Sequence, residues 1–241
     1  MLPPYPVFTK LFHSSVDNAI DPHNVSVSAQ GKIVLVTGGS KGIGRYIATA
    51  FAVAGAHAVV ILGRTPSDLE DARKEISAAA SNTGHNTVVR SFKVDIGDSG
   101  AVLEAFRHTR QEVGAIDVLV SNAGDVYLST IEEALIDRYW KSFEVNVKGL
   151  LNCTQAFIHV GMDHNALRPP TMINISTIGI AMGPMPGWSS YGASKLAAWK
   201  LLEDLVAELD GKLRIFSIHP GRIATDMTKK AGIPTADDRG M

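Results

Sequence analysis

The stretch Lys32-Ile-Val-Leu-Val-Thr37, followed without a break by Gly38-Gly39-Ser40-Lys41-Gly42-Ile43-Gly44, decides how this chain is read. An uninterrupted aliphatic run has no polar face, so its strand is buried on both sides, as strands of a parallel sheet are. Glycines at its end let the backbone turn sharply and come close to a pyrophosphate, whose charge then sits at the N-terminus of the next helix. That helix is legible as the apolar pattern from Gly42 to Ala54. A glycine cluster alone is a weak signal, but one lying after a first strand and before a helix reads as nucleotide binding. The candidate contacts are Gly38, Ser40, Lys41, Gly42, Ile43 and Gly44.

Outward from this stretch, apolar runs alternate with helical ones. Ala58 to Leu62 is a second strand, with a polar helix after it through about Ser81. Thr87 to Val94 is a third strand and Gly100 to Val113 a third helix. Ile116 to Val120 is the fourth strand, and a long helical region follows to about Gly161. Thr171 to Ile175, a helix from about Ser190 to Leu209, and Leu213 to Ile218 complete the order. Strands alternating with helices of this length predict an α/β fold with a doubly wound parallel sheet of six strands, a Rossmann architecture. Residues 1–30, rich in Pro, Ser, Asn and Asp, read as an N-terminal arm, and 31–241 as the dinucleotide-binding and catalytic domain.

Composition narrows the function. With 23 Lys and Arg against 24 Asp and Glu among 241 residues, no cationic surplus exists to neutralise nucleic-acid phosphates. A single cysteine, Cys153, excludes an internal disulfide. There is no HExxH among the eight histidines, and His159 and His164 miss the i, i+4 face, so no metal is expected. Tyr46 to Gly63 is apolar enough to suggest a membrane span, but Ala54-Gly55-Ala56 and His57 split it into a helix, a turn and a strand. The start carries no basic segment leading into an apolar one, and cytoplasmic residence is the expectation.

The cofactor has a readable sign. A carboxylate about 20 residues beyond the glycine turn would bind the ribose 2′-hydroxyl of NAD. The second strand ends instead in Leu62-Gly63-Arg64-Thr65. Arg64 can pair with a 2′-phosphate, and Lys41 can add a second charge, which favours NADP(H). Tyr191-Gly-Ala-Ser-Lys195 places a phenol and an ammonium four residues apart on one helical face. A phenol with a pKa near 10 is a poor acid–base group at neutral pH, and a neighbouring ammonium is expected to lower it.

Taken together, these motifs resemble the short-chain dehydrogenase/reductase family in its single-domain Rossmann form. The matching pieces run from Thr37 to Thr225: the glycine turn, Asp95-Ile96, Asn122-Ala123-Gly124, Asn146, Tyr191 with Lys195, and Pro220-Gly221 with Thr225. The resemblance implies that Tyr191 gives a proton to a carbonyl oxygen in reduction, or takes it from an alcohol in oxidation. By the same resemblance, Lys195 holds the nicotinamide ribose and Asn146 anchors a water through its helix. Asp95 and Ile96 border the adenine, Asn122 to Gly124 line the cofactor, and Ile223 and Thr225 meet the nicotinamide amide. The catalytic hydroxyl is open between Ser176 and Thr177. Thr177 stands in the family's register relative to Asn174, and either choice requires an insertion in the loop from Gly183 to Ser190.

Met182, Met185 and Trp188 lie between that hydroxyl pair and Tyr191 and suggest a small apolar carbonyl or alcohol substrate with some bulk. The arm and the run PGRIATDM at 220–227 resemble reductases of filamentous fungi. The family's seventh strand has no counterpart before Met241, which puts homo-oligomer formation in doubt and suggests a shortened C-terminus. Beside the leading expectation, NADPH-dependent carbonyl reduction, stand two others: a non-catalytic or impaired dinucleotide-binding protein, and an NAD-dependent alcohol dehydrogenase.

Overall fold

The computed structural model describes residues 17–221 and 223–232. The aliphatic runs form β1 (Ile33–Thr37), β2 (Ala58–Gly63), β3 (Val88–Lys93), β4 (Val118–Ser121), β5 (Thr171–Ile175) and β6 (Arg214–Ile218). All pair in parallel, in the spatial order β3-β2-β1-β4-β5-β6. The chain reverses direction across the sheet between β1 and β4, and in such sheets ligands bind at the strand carboxyl ends beside that switch point. Each sequence motif follows directly on the carboxyl end of one of these strands, except Asn146, Tyr191 and Lys195, which helices deliver.

The helices cover both faces. On one side α1 (Gly42–Val53) and α2 (Pro66–Asn82) lie over Val34, Val36, Val59 and Ile61. Ala48, Ala52, Ala72 and Ile76 form their buried stripes, small residues on α1 permitting a close approach to the strands. On the other side α3 (Ser99–Glu112), α5 (Leu150–Ala156) and α6 (Ser189–Leu209) close over Leu35, Leu62, Leu119 and Met172. Phe106 and Phe157 fill the space between the helices and are fully buried. Burying a side chain of this kind contributes about 1.5–3 kcal/mol, so these two layers hold the sheet.

The Tyr46 to Gly63 stretch resolves into the end of α1, a turn through Gly55 and strand β2. Among the described residues no helix is long and apolar enough to cross a membrane. The long helical region to Gly161 is interrupted more than expected. An extended loop runs to α4 (Ile136–Phe143), and wide π turns occupy Glu144–Gly149 and Phe157–Gly161 on either side of α5. Burial on both faces also fails at the last strand. β6 is an edge, with Phe216 53% and Ile218 44% exposed. Residues 17–29 make two 3-10 turns, and Gln30 bridges to Ala56. After a short helix α7 (Asp226–Lys230), the expectation about a seventh strand and the shortened C-terminus falls outside the described residues, as does that for the arm before Asp17.

Candidate active site

At the end of β1 the chain turns with Gly38 at φ +63°. A Cβ on Gly44 would lie 2.3 Å from the Gly38 carbonyl oxygen and 2.4 Å from Asn122 Nδ2, so only glycine fits there. No side chain caps α1, which leaves the N–H groups of its first turn directed outward. A cradle with unpaired donors and no Cβ atoms suits a pyrophosphate. A dinucleotide therefore fits the residues present, with Gly38, Ser40, Gly42, Ile43 and Gly44 at its phosphates. Thr225 packs over the turn, its methyl 3.3 Å from where a Gly42 Cβ would be, bringing the segment after β6 to the same place.

Thr37 and Asn122 tie the two central strands. Thr37 Oγ1 accepts from the Asn122 and Ala123 N–H groups, each at 3.0 Å, and Asn122 Nδ2 donates to the carbonyls of Thr37 and Gly38. Asn122 thus acts as a brace between the turns, with Ala123 and Gly124 at the floor. Asp95 closes its own turn by accepting from the Gly97 N–H, and Ile96 is buried against Gly149 with its carbonyl accepting from Asn152 Nδ2 at 2.8 Å. At the outer end of β2, Lys41 Nζ lies 2.9 Å from Asp68 Oδ2, whereas Arg64 is exposed and free among the described residues. Pro220 is half-buried, while Gly221 and Ile223 are exposed beside Thr225.

The residues expected to carry proton transfer come from three elements. Tyr191 stands in the first turn of α6, and the Thr177 hydroxyl, just past β5, lies close enough to its phenol to bear on its ionisation. Thr177 Oγ1 accepts from the Gly179 N–H at 3.1 Å, which fixes its rotamer. The Ser176 hydroxyl is buried and has no hydrogen-bond partner among the described residues. Of the two hydroxyls left open by the sequence, Thr177 is the one beside the phenol, because neighbouring residues of an extended chain face opposite ways.

Lys195 is 6% exposed and donates to the Ile175 carbonyl at 2.9 Å. A Cβ on Gly124 would be 3.7 Å from its Nζ, so the ammonium sits over the floor turn. Burial pushes its pKa down to about 8. The expected depression of the tyrosine pKa is not what the structure gives. Burial raises the Tyr191 pKa above its ordinary value, offset only in part by the nearby Thr177 hydroxyl. The reason is geometric: the lysine proton is directed to the Ile175 carbonyl, and desolvation of the phenolate outweighs what remains.

Asn146 lies in the first π turn with both amide hydrogens and one acceptor position of its amide oxygen engaged. Its Oδ1 accepts from the Asp125 N–H, and its Nδ2 donates to the Asp125 carbonyl and to Ser194 Oγ, all at 2.9 Å. Ser194, fully buried, passes the connection on to the Tyr191 carbonyl at 2.8 Å. Sequence reasoning missed Ser194, Asp125 and Thr37. Ser194 lies inside the Tyr-to-Lys motif, and its position beside Lys195 on the buried face of α6 was the available signal.

Over the mouth, Trp188 meets Tyr191 edge-on, ring centroids 6.0 Å apart. Its loop is fastened by the Ser129 N–H donating to the Gly187 carbonyl at 3.0 Å. Met182 is exposed and Met185 half-buried along the same rim. Among the described residues no cluster of His, Cys, Asp or Glu could hold a metal.

Comparison with known proteins agrees with this fold. The family model for short chain dehydrogenases matches residues 32–234. The short chain dehydrogenase andI of Emericella variicolor is 31% identical over 202 residues, covering 83% of this chain and 68% of that protein. Short chain dehydrogenase tazN of Aspergillus terreus is 33% identical over 92% of this chain and 47% of its own length. This chain thus spans between about half and two thirds of the length of these relatives. Among solved structures, the Pseudomonas aeruginosa RhlG/NADP active-site complex superposes with a TM-score of 0.76 at 27% identity, covering 86% of this chain and 78% of that one. A short chain dehydrogenase from Burkholderia cenocepacia in complex with NADP gives 0.72 at 28%, over 83% of this chain and 77% of the other.

Proposed function

The chain belongs to the short chain dehydrogenase family, and on that premise we propose that it reduces a ketone or aldehyde to an alcohol with NADPH. The observation that carries the reading is the Tyr191 phenol, half-buried beside the Thr177 hydroxyl, one helical turn from the buried Lys195, and held by burial above its ordinary pKa. A phenol that resists ionisation is protonated at neutral pH, which suits giving a proton to a carbonyl oxygen better than taking one from an alcohol. A bound reduced nicotinamide supplies the hydride. Gly38, Ser40, Gly42, Ile43 and Gly44 bind its pyrophosphate; Asp95 and Ile96 border the adenine; and Asn122, Ala123, Gly124, Pro220, Gly221, Ile223 and Thr225 flank the rest.

Tyr191 Oη and Thr177 Oγ1 donate hydrogen bonds to the substrate oxygen, and stabilisation of developing negative charge there is the main source of rate. Tyr191 Oη then gives up its proton to that oxygen. Lys195, an ammonium at neutral pH although easily deprotonated, holds ribose hydroxyls and favours the phenolate left behind. Asn146 and Ser194 fix the turn of α6 that carries Tyr191. Trp188, Met182 and Met185 form an apolar rim that supports a bulky carbonyl substrate. Arg64 and Lys41 support a 2′-phosphate, and two structural relatives are NADP complexes.

A thermal-melt titration tests the cofactor reading. A ligand at about 100 times its dissociation constant stabilises the native state by about 2.7 kcal/mol. NADPH should raise the melting temperature several degrees and NADH much less, and NADPH should be consumed with members of a panel of aryl and alkyl ketones. Equal shifts from the two dinucleotides would contradict the NADPH assignment.

A further inference from the structure

Of the two cations assigned to the 2′-phosphate, only Arg64 has its charge unengaged among the described residues. Lys41 is already paired: its ammonium lies 2.9 Å from Asp68 Oδ2, in the first turn of α2. The carboxylate is well placed to hold it. Lys41, with a smaller contribution from Thr65, keeps the Asp68 carboxyl below its usual pKa, and the positive end of α2 favours an anion there. The glycine turn and the β2–α2 connection also touch, since a Cβ on Gly63 would lie 3.0 Å from Ser40 Oγ. Lys41, Arg64 and Asp68 therefore belong to one small neighbourhood just beyond β2, with two cations and one anion in it.

We propose that Asp68 is a specificity-determining residue that competes with the cofactor 2′-phosphate for Lys41. A phosphate monoester carries about −1.5 to −2 charges at neutral pH. To gain Lys41 it must either displace the carboxylate or share the ammonium with it at the expense of repulsion between anions. A cofactor with a plain 2′-hydroxyl neither needs Lys41 nor meets that repulsion. Asp68 thus lowers the affinity for NADPH selectively and narrows the preference that Arg64 and Lys41 create. The inference rests on the reading that the glycine turn binds a dinucleotide.

Titration calorimetry on the whole chain tests it, with NADPH, NADH and the fragment 2′,5′-ADP as the three ligands. The proteins are wild type, Asp68→Asn, Lys41→Ala and the double variant, with Asp68→Ser as the replacement should asparagine disturb the start of α2. Asp68→Asn should tighten NADPH and 2′,5′-ADP by about three- to tenfold, as expected for removing one exposed anion near a phosphate, and leave NADH within about twofold. Adding Lys41→Ala should cancel the gain. Unchanged NADPH affinity in Asp68→Asn overturns the proposal. So does a gain that survives Lys41→Ala, since the effect would then not pass through Lys41. Weaker NADH binding would instead make Asp68 a ribose ligand, also against the proposal. Should wild type show no NADPH preference and Asp68→Asn acquire one, the proposal stands and the cofactor assignment falls. No binding of any ligand to any variant overturns both.

Discussion

Replacing Lys195 with methionine should produce a protein that is inactive and, at neutral pH, no less stable than the wild type. Lys195 is an ammonium held in the core, its pKa pushed by burial from 10.5 to about 8. Because the folded value lies below the unfolded one, the unfolded chain binds the proton more tightly. The group's stabilising contribution is present above pH 10.5 and lost as pH falls through about 8. At pH 7 the accumulated cost is about 3 kcal/mol, from a shift of about 2.5 units at roughly 1.4 kcal/mol each. Methionine removes that cost but strands the Ile175 carbonyl that Lys195 now satisfies, a loss of about 1–3 kcal/mol. The two nearly offset, so the sharper readout is the pH dependence of the difference. Urea denaturation at pH 7 and pH 9.5 should show wild type gaining about 2 kcal/mol on the variant between the two, all other titrations being common to both. A constant difference across that range would mean the folded lysine titrates normally, and the account of a desolvated ammonium would be wrong.

The remaining predictions concern neighbouring parts of the site. Thr177→Val should cut kcat about a hundredfold with cofactor affinity retained, as loss of one oxyanion donor does. Ser176→Ala, which removes an unpartnered buried hydroxyl, should leave kcat unchanged and stability equal or higher by up to about 1 kcal/mol, and a reversed pattern in steady-state rates would restore Ser176 as the catalytic hydroxyl. Gly44→Ala, which forces a Cβ to within 2.3 Å of a backbone oxygen, should cost about 2–3 kcal/mol in denaturant melts and abolish the NADPH-induced shift.

Much of the fold was legible because this sheet is buried where its strands are most aliphatic. Ile-Val-Leu-Val in β1 and Val-Val-Ile-Leu in β2 announce a parallel sheet core, and β5 occupies the same residues, Thr171–Ile175, that the sequence pattern delimits. The third helix was legible to within one residue at each end, Gly100 to Val113 against Ser99–Glu112, and the Asp98 carboxylate that caps it sets its start. The π turns around Asn146 and Phe157 were not, since a helix widens by one residue through packing and leaves no periodic trace. The site divides in the same way. Tyr191 and Lys195 are visible from their spacing, and the Asn174 register points to Thr177, which lies near the phenol. The direction of the Tyr191 shift was not visible, because four residues of helix say that two side chains share a face without saying that Lys195 turns to Ile175. The pairing of Lys41 with Asp68, 27 positions apart, likewise exists only once α2 has folded against the glycine turn.

The most direct test of the central claim is Tyr191→Phe, assayed side by side for NADPH binding by calorimetry and for NADPH oxidation with a ketone that wild type reduces. The phenyl ring keeps the packing against Trp188 and removes only the proton donor. The account predicts NADPH affinity within about twofold of wild type and a kcat lower by about a thousandfold or more, within what loss of a positioned acid and oxyanion donor can bring. Turnover that persists at a tenth of the wild-type rate, or that falls only in step with NADPH affinity, would contradict the claim that Tyr191 delivers the proton.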